Sequence, residues 1–248
     1  MSSVLVKDVR KVRWIIFNRP EKLNALTRDD IRAARLRVQE AIEQDLVAIV
    51  FRGMGERSFS AGVHVDSFRP LNPPQARELI AELRDLLTAV RTSPLPTVCA
   101  INGYCIGGAM ELAMACDIRI AVTHARFGMP EIKAGIPSVL DSALLQQHIG
   151  LSKAKEMLLT GDLYSVEEMD KYGFINQIVE PHELDEAVER MLQRITVHSK
   201  VAIRSQKRLF EVWQNTTLPE AINASVNEFA LVFGDEETKA MVEKYIKR

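Results

Sequence analysis

The stretch "AINGYCIGGAMELAMACD", residues 100–117, runs from a strand end through a paired-glycine turn into a helix rich in Ala, Met and Leu. A strand that passes through glycines straight into an apolar helix is a joint of an α/β layer. One charged residue, Glu111, stands in the first turn of that helix. Burial among Ala, Leu and Met raises the pKa of such a carboxyl, whereas a helix N-terminus lowers it. Opposed effects of this kind can poise a carboxyl for proton transfer near neutral pH. The plainer alternative is a glutamate that only complements the helix dipole. Gly107 and Gly108 also admit two readings. They let a ligand oxygen approach the free N–H groups of the first turn, or they merely allow tight strand–helix packing. Their spacing is too short for a dinucleotide turn, and no Lys-Ser/Thr follows to make a P-loop.

Outward from this joint, short apolar runs rich in β-branched residues recur at Val12–Asn18, Leu46–Gly53, Thr97–Gly103, Asp117–Val122 and Phe174–Glu180. Continuous runs of this length predict strands buried on both faces. Helical patterns lie between them. One opens at Thr27, a predicted N-cap with Asp30 three residues on, and extends to about Gln44; another covers Gln75–Arg91 and stops before Pro94 and Pro96. The alternation predicts an α/β core over 1–180. Beyond it, His182–Ser199, Ala202–Gln214, Pro219–Phe233 and Asp235–Arg248 read as helices, so 181–248 is expected to be a helical C-terminal region. Its apolar positions Phe229, Val232 and Phe233 suit either its own core or another subunit, and periodicity does not choose between them.

With 248 residues the chain can bury a sizeable core. A net charge of -1 supplies no basic field for nucleic acid. The odd number of cysteines, Cys99, Cys105 and Cys116, without C-x-x-C spacing, argues against a disulfide framework or zinc site and for a reducing compartment. The charged run "MSSVLVKDVRKVRW" reads as neither a secretory nor a membrane-spanning segment, and "EKYIKR" is no peroxisomal signal, so the cytoplasm is the expected location. His64, His124 and His148 show no metal-ligand spacing, and Cys105 has no nearby histidine to activate it.

Two further stretches carry candidate chemistry. "SFSAGVHVDSF", residues 58–68, holds Ala61-Gly62-Val63, a turn that can present backbone N–H groups. In "RFGMPEIKAGIP", residues 126–137, Glu131 follows Pro130 between apolar neighbours. Alone, a Pro-Glu pair is an ordinary solvated turn. Twenty residues and one expected strand separate Glu131 from Glu111, a connection able to bring both carboxylates to one cleft.

Taken together, "NRPEKLNAL" (residues 18–26), "FSAGVHV" (59–65), the opening stretch and "FGMPEIKAGIP" resemble the enoyl-CoA hydratase/isomerase, or crotonase, superfamily over nearly the whole chain. The resemblance implies a spiral of ββα units with a helical C-terminal region, assembled as a homotrimer or a dimer of trimers. It implies an acyl-CoA substrate and no cofactor or metal beyond the coenzyme A of that substrate, no nucleic acid and no membrane partner. By the resemblance, the N–H groups of Val63 and Gly108 form an oxyanion hole for the thioester oxygen, each such donor being worth roughly 3–4 kcal/mol of barrier. Glu111 and Glu131 match the two glutamates of the hydratase branch, with Glu111 activating water and Glu131 delivering a proton to the α-carbon. The acyl-CoA is expected along Lys22, Leu23, Ala61, His64, Val65, Asp66, Gly107, Pro130, Ser138 and Asp141.

The sequence departs from that pattern in three places, the first being the absence of a basic residue common near the Glu21 position. His64 stands where many relatives have Asp, and Ser138-Val139-Leu140-Asp141 replaces a glycine-rich run. The added bulk predicts a smaller or differently angled acyl pocket, and Asp141 becomes a possible third carboxylate. Keeping both glutamates favours hydration or dehydration over isomerisation. Another acyl-thioester reaction (isomerisation, decarboxylation or biosynthetic dehydration) and a non-catalytic binding role are the rival expectations.

Overall fold

The structure, a computed structural model, describes residues 3–69 and 71–247. It opens with a hairpin of β1 (Val4–Val9) and β2 (Val12–Phe17), followed by α1 (Arg28–Glu43). Three ββα units come next. The first is β3 (Ala48–Gly53), β4 (Ser58–Ser60) and α2 (Pro73–Arg91), and the second is β5 (Thr97–Ile101), β6 (Tyr104–Ile106) and α3 (Gly108–Ala115). The third has β7 (Ile118–Val122) and β8 (Arg126–Gly128), then short helical turns leading to α4 (Leu145–Ile149) and α5 (Leu151–Thr160). After β9 (Leu163–Ser165), α6 (Val166–Lys171) and β10 (Gln177–Val179), the described chain is helical: α7 (Leu184–Thr196), α8 (Lys200–Asn215), α9 (Leu218–Val232) and α10 (Glu236–Ile246).

Each unit lays its first strand in a six-stranded sheet, ordered β1-β2-β3-β5-β7-β10, and its second in a four-stranded sheet, ordered β4-β6-β8-β9. Pairing is parallel from β2 to β10 and from β4 to β8, and antiparallel only in the pairs β1–β2 and β8–β9. Successive units therefore advance along both sheets together, which makes the spiral. The core strands lack polar alternation because helices cover both faces: β5 is buried at all five positions. α1 and α2 each bury one stripe, Ile31, Ala34, Val38 and Ala41 on the first and Leu79, Leu83, Leu86, Leu87 and Val90 on the second. α3 is buried all round, Glu111 included. The predicted capping box at Thr27 and Asp30 forms.

Two buried amides hold the corner where the chain leaves one sheet for the other. Asn102 Nδ2 donates to the carbonyls of Gly53 (2.9 Å), Gly55 (2.7 Å) and Ser58 (3.2 Å), while its Oδ1 accepts from Gly53 N–H at 3.1 Å. Asn24 Nδ2 donates to Met54 and Ser58 carbonyls at 3.0 and 2.8 Å. Without these donors several carbonyls would be buried unpaired. Replacing Asn102 by alanine is expected to lower the unfolding free energy by about 2–4 kcal/mol in a urea titration. A change below about 0.5 kcal/mol would show that water takes over these carbonyls without loss.

Candidate active site

The parallel strands β4, β6 and β8 all deliver their C-terminal ends to one edge of the smaller sheet, the edge at which open α/β sheets place ligands. From β4 the chain runs into Ala61-Gly62-Val63, from β6 into Gly107-Gly108 and α3, and from β8 into Met129 and a turn over Pro130–Ala134. Glu111 and Glu131 are thus separated by two strands, β7 and β8, rather than the one expected, and β8 brings the second carboxylate back beside the first. The three-residue strand β8 was too short to register as a strand in the sequence.

The turns from β4 and β6 touch backbone to backbone. Gly62 has φ +81°, and a Cβ there would lie 2.6 Å from the Ile106 carbonyl oxygen and 3.0 Å from the Gly108 nitrogen. Only glycine meets both demands. A Cβ on Gly108 would come 3.8 Å from the Val63 nitrogen and 3.2 Å from a methyl of Leu83, so the two amides lie side by side against an apolar wall. Leu26 N–H donates to the Gly62 carbonyl and His64 N–H to that of Leu26, which leaves the Val63 N–H between them without a carbonyl partner among the described residues. The Gly108 N–H, at the first position of α3, likewise has none. Two neighbouring free donors at a helix N-terminus can hold a developing oxyanion.

Glu111 is 3% exposed, and its Oε1 accepts from Ser142 Oγ at 2.9 Å and from Ser142 N–H at 3.2 Å. Burial pushes its pKa up to about 8 against the lowering effect of those two hydrogen bonds, with Glu131 and Asp141 adding smaller repulsions. Glu131 is half-buried. Its Oε2 accepts from Ser138 Oγ at 2.8 Å, and its Oε1 hangs over Gly107, 2.6 Å from where a Cβ would sit. Gly107 has φ +59°, so both its backbone and this carboxylate exclude a side chain. Each glutamate therefore spends one oxygen on a serine and keeps the other available.

The remaining candidates separate into two groups. Lys22 and Leu23 lie in a turn bound edge to edge with Ala61: the Leu23 carbonyl accepts from Ala61 N–H and from Ser58 Oγ, each at 2.9 Å. His64 caps the short turn Val65–Phe68, its Nδ1 accepting from Asp66 N–H at 3.2 Å, with Val65 and Asp66 exposed. These residues form one continuous rim beside the two free amides. Asp141 does not face the glutamates as a free third carboxylate. Both of its oxygens accept from Arg91 Nη1, at 2.8 and 2.7 Å, because a charge this deeply buried requires a partner. Leu140, with φ +52°, lines a cavity of about 150 Å³ with Arg91, Gln147 and Gln214, so its bulk lies on that side of the turn. Ser142 escaped the sequence reading; its only signal was a small hydroxyl at the end of the departing run 138–141. Cys105 is buried and donates to the Ala109 carbonyl, which leaves it a packing residue.

Comparison with known proteins shows the family and the fold. The family model described as enoyl-CoA hydratase/isomerase matches residues 9–248. A probable mitochondrial enoyl-CoA hydratase of Dictyostelium discoideum is 33% identical over 244 residues, covering 96% of this chain and 86% of that protein. A crotonyl-CoA hydratase of Syntrophomonas wolfei is 28% identical over 248 residues, covering 99% of this chain and 95% of that one. Among solved structures, Pseudomonas aeruginosa DspI superposes with a TM-score of 0.95 at 26% identity, covering 100% of this chain and 95% of its own. An enoyl-CoA hydratase from Thermoplasma volcanium gives 0.92 at 25% identity, covering 99% of this chain and 98% of its own.

The state of Glu111 has a measurable cost. Its folded pKa of about 8 lies above the ordinary carboxylate value of 4.5, so the folded state keeps a proton that the unfolded chain has lost. Stability from this group is complete below the ordinary value and is lost as pH rises through about 8. Glu111→Gln is neutral throughout, and it should melt about 4 °C or more above wild type at pH 9 but close to it at pH 5. Equal melting temperatures at pH 9 would mean that the carboxylate is solvated rather than buried.

Proposed function

The chain belongs to the enoyl-CoA hydratase/isomerase family, and from that premise we propose that it adds water reversibly across the 2,3 double bond of an enoyl-CoA thioester. The observation that carries this reading is the pairing of two glutamates beside two free backbone donors. The thioester oxygen rests on the N–H groups of Val63 and Gly108. Water held between Glu111 and Glu131 attacks the β-carbon as Glu111 takes its proton, and the electron pair of the double bond moves onto the thioester oxygen. The enolate so formed collapses as Glu131 delivers a proton to the α-carbon. One proton is gained by Glu111 and one is lost by Glu131, and the next water exchanges them back. Isomerisation needs only one carboxylate to move a proton, so retention of both supports hydration.

In the empty site burial keeps a proton on Glu111. On this assignment it passes to Glu131 before water attacks, and the ionised Glu111 is then ready to receive a proton from water. The rim of Lys22, Leu23 and residues 61–66 receives the coenzyme A, with Lys22 a point charge for a phosphate. Val139, 38% exposed, and Ser138 border the acyl chain, which supports a preference for short acyl groups. Three unpaired buried cysteines fit a reducing compartment such as the cytoplasm.

We also propose that the protein assembles as a homotrimer or a dimer of trimers through its C-terminal helices. Leu218, Ile222, Val226, Phe229 and Phe233 recur at helical spacing along α9, yet Val226 is 65% and Phe229 68% exposed. A stripe of this size on a single chain marks an interface. Light scattering should give three or six times the chain mass, and Phe229→Glu should lower it; a monomeric wild type would overturn the assembly.

Turnover is read from loss of the conjugated thioester absorbance with crotonyl-CoA. Glu111→Gln and Glu131→Gln are each expected to lower kcat by about 10²–10⁴ with little change in KM. Activity that survives both substitutions would exclude the two-carboxylate mechanism. The reaction needs one proton between the two glutamates, on Glu131 as water attacks, so kcat/KM falls as pH rises through about 8, where the free enzyme loses that proton. A rate that rises through the same range would mean that the reaction starts with both glutamates ionised and would overturn this assignment.

A further inference from the structure

We infer that Arg91 is a positioning residue for Glu111, acting from outside the site through Asp141 and the turn that carries Ser142. The inference rests on the reading of Glu111 as a working carboxylate. Arg91 lies in the last turn of α2, fifty residues before Asp141 in sequence. Its Nη1 donates to both oxygens of Asp141 at 2.8 and 2.7 Å, and its Nε donates to Glu211 Oε2 on α8 at 3.2 Å. One guanidinium thus ties the end of α2, the turn beside Glu111 and a C-terminal helix together.

The turn needs that tie. Ser142 N–H donates to the Val139 carbonyl at 3.0 Å and is shared with Glu111 Oε1 at 3.2 Å, so the donor reaches the glutamate only while the turn stays closed. Between Val139 and Ser142 stands Leu140 in the left-handed region, with φ +52°, a conformation that a branched side chain disfavours. Such a conformation persists where surrounding contacts over-determine it. The Arg91–Asp141 pair, adjoining Leu140 and buried at its carboxylate end, is one of those contacts.

The groups that act on Glu111 are few. Ser142 supplies its two donors, while Glu131 from the turn after β8 and Asp141 from the turn before α4 supply like charge. Arg91 reaches Glu111 only through Asp141. Removing Arg91 withdraws the Ser142 donors and bares the Asp141 charge, and both changes make Glu111 harder to ionise.

The test follows the Glu111 carboxyl by carbon-13 NMR in protein labelled at glutamate carboxyls, the signal being assigned by its loss in Glu111→Gln. Arg91→Gln should raise the Glu111 midpoint by about one pH unit or more and lower kcat/KM for crotonyl-CoA at pH 7 about tenfold, with KM nearly unchanged. Arg91→Lys keeps the charge but not the fork, and should give a smaller shift in a protein that still folds. In Arg91→Gln/Asp141→Asn the bared charge is gone, so the part of the shift that remains measures the loosened Ser142. A full return to the wild-type midpoint in that double variant, or an unmoved midpoint in Arg91→Gln, would overturn the inference. A wild type inactive on every enoyl-CoA would instead remove the proposed function, and the NMR titration would still read the link between Arg91 and Glu111.

Discussion

The contact on which the rest depends is the passage of one backbone turn against another, Ala61-Gly62-Val63 against Ile106-Gly107-Gly108. No side chain fits between them at Gly62. That closeness puts two amide nitrogens side by side and fixes where α3 begins, and hence where Glu111 stands. It is made possible by the parallel pairing of β4 with β6, which brings both turns to the same edge. That pairing in turn relies on Asn102 and Asn24, whose amides bind the corner carbonyls as the chain changes sheets. A backbone contact at the site is therefore secured by side-chain hydrogen bonds at the opposite end of the same strands.

The burial of α3 has a second consequence. A helix enclosed on every side excludes the water that would otherwise solvate Glu111, and the ionised form is disfavoured more than two hydrogen bonds from Ser142 can offset. The C-terminal end of the helix is satisfied independently: Arg119, itself buried, donates to the carbonyls of Ala113 and Cys116 at 3.2 and 2.8 Å. Both ends of α3 thus meet polar partners, Ser142 at Glu111 and Arg119 at the last carbonyls. The carboxyl that looked out of place in an apolar helix is strained electrostatically because the helix around it is so well buried.

Much of this was legible in the residues, and the gaps have physical causes. The strands of the larger sheet are long and apolar enough to announce themselves, so β2, β3, β5 and β7 emerge within a residue or two of their observed ends. The smaller sheet has strands of three residues each, too short for any period to show. The hairpin from β1 to β2 turns on Arg10 and Lys11, with φ +51° and +63°, where glycine or asparagine would have marked it. At the site, the glycine turns and both glutamates could be picked out by type and order. The partners of those glutamates could not: Ser142 lies 31 residues from Glu111, and Arg91 lies 50 from Asp141. Such pairings exist only once the chain has wound through its third unit.

The two glutamates are bound alike by serines but stand in unlike surroundings. Chemically the carboxyls are the same, and each binds one serine hydroxyl through one oxygen. What differs is the ground on which each stands. Glu111 belongs to a rigid, enclosed helix and has a second donor, the Ser142 amide. Glu131 lies in a half-open turn over Gly107. Enclosure pushes the Glu111 pKa up to about 8 in spite of its two donors. The third carboxylate of the neighbourhood, Asp141, is held by Arg91 rather than left free beside the pair.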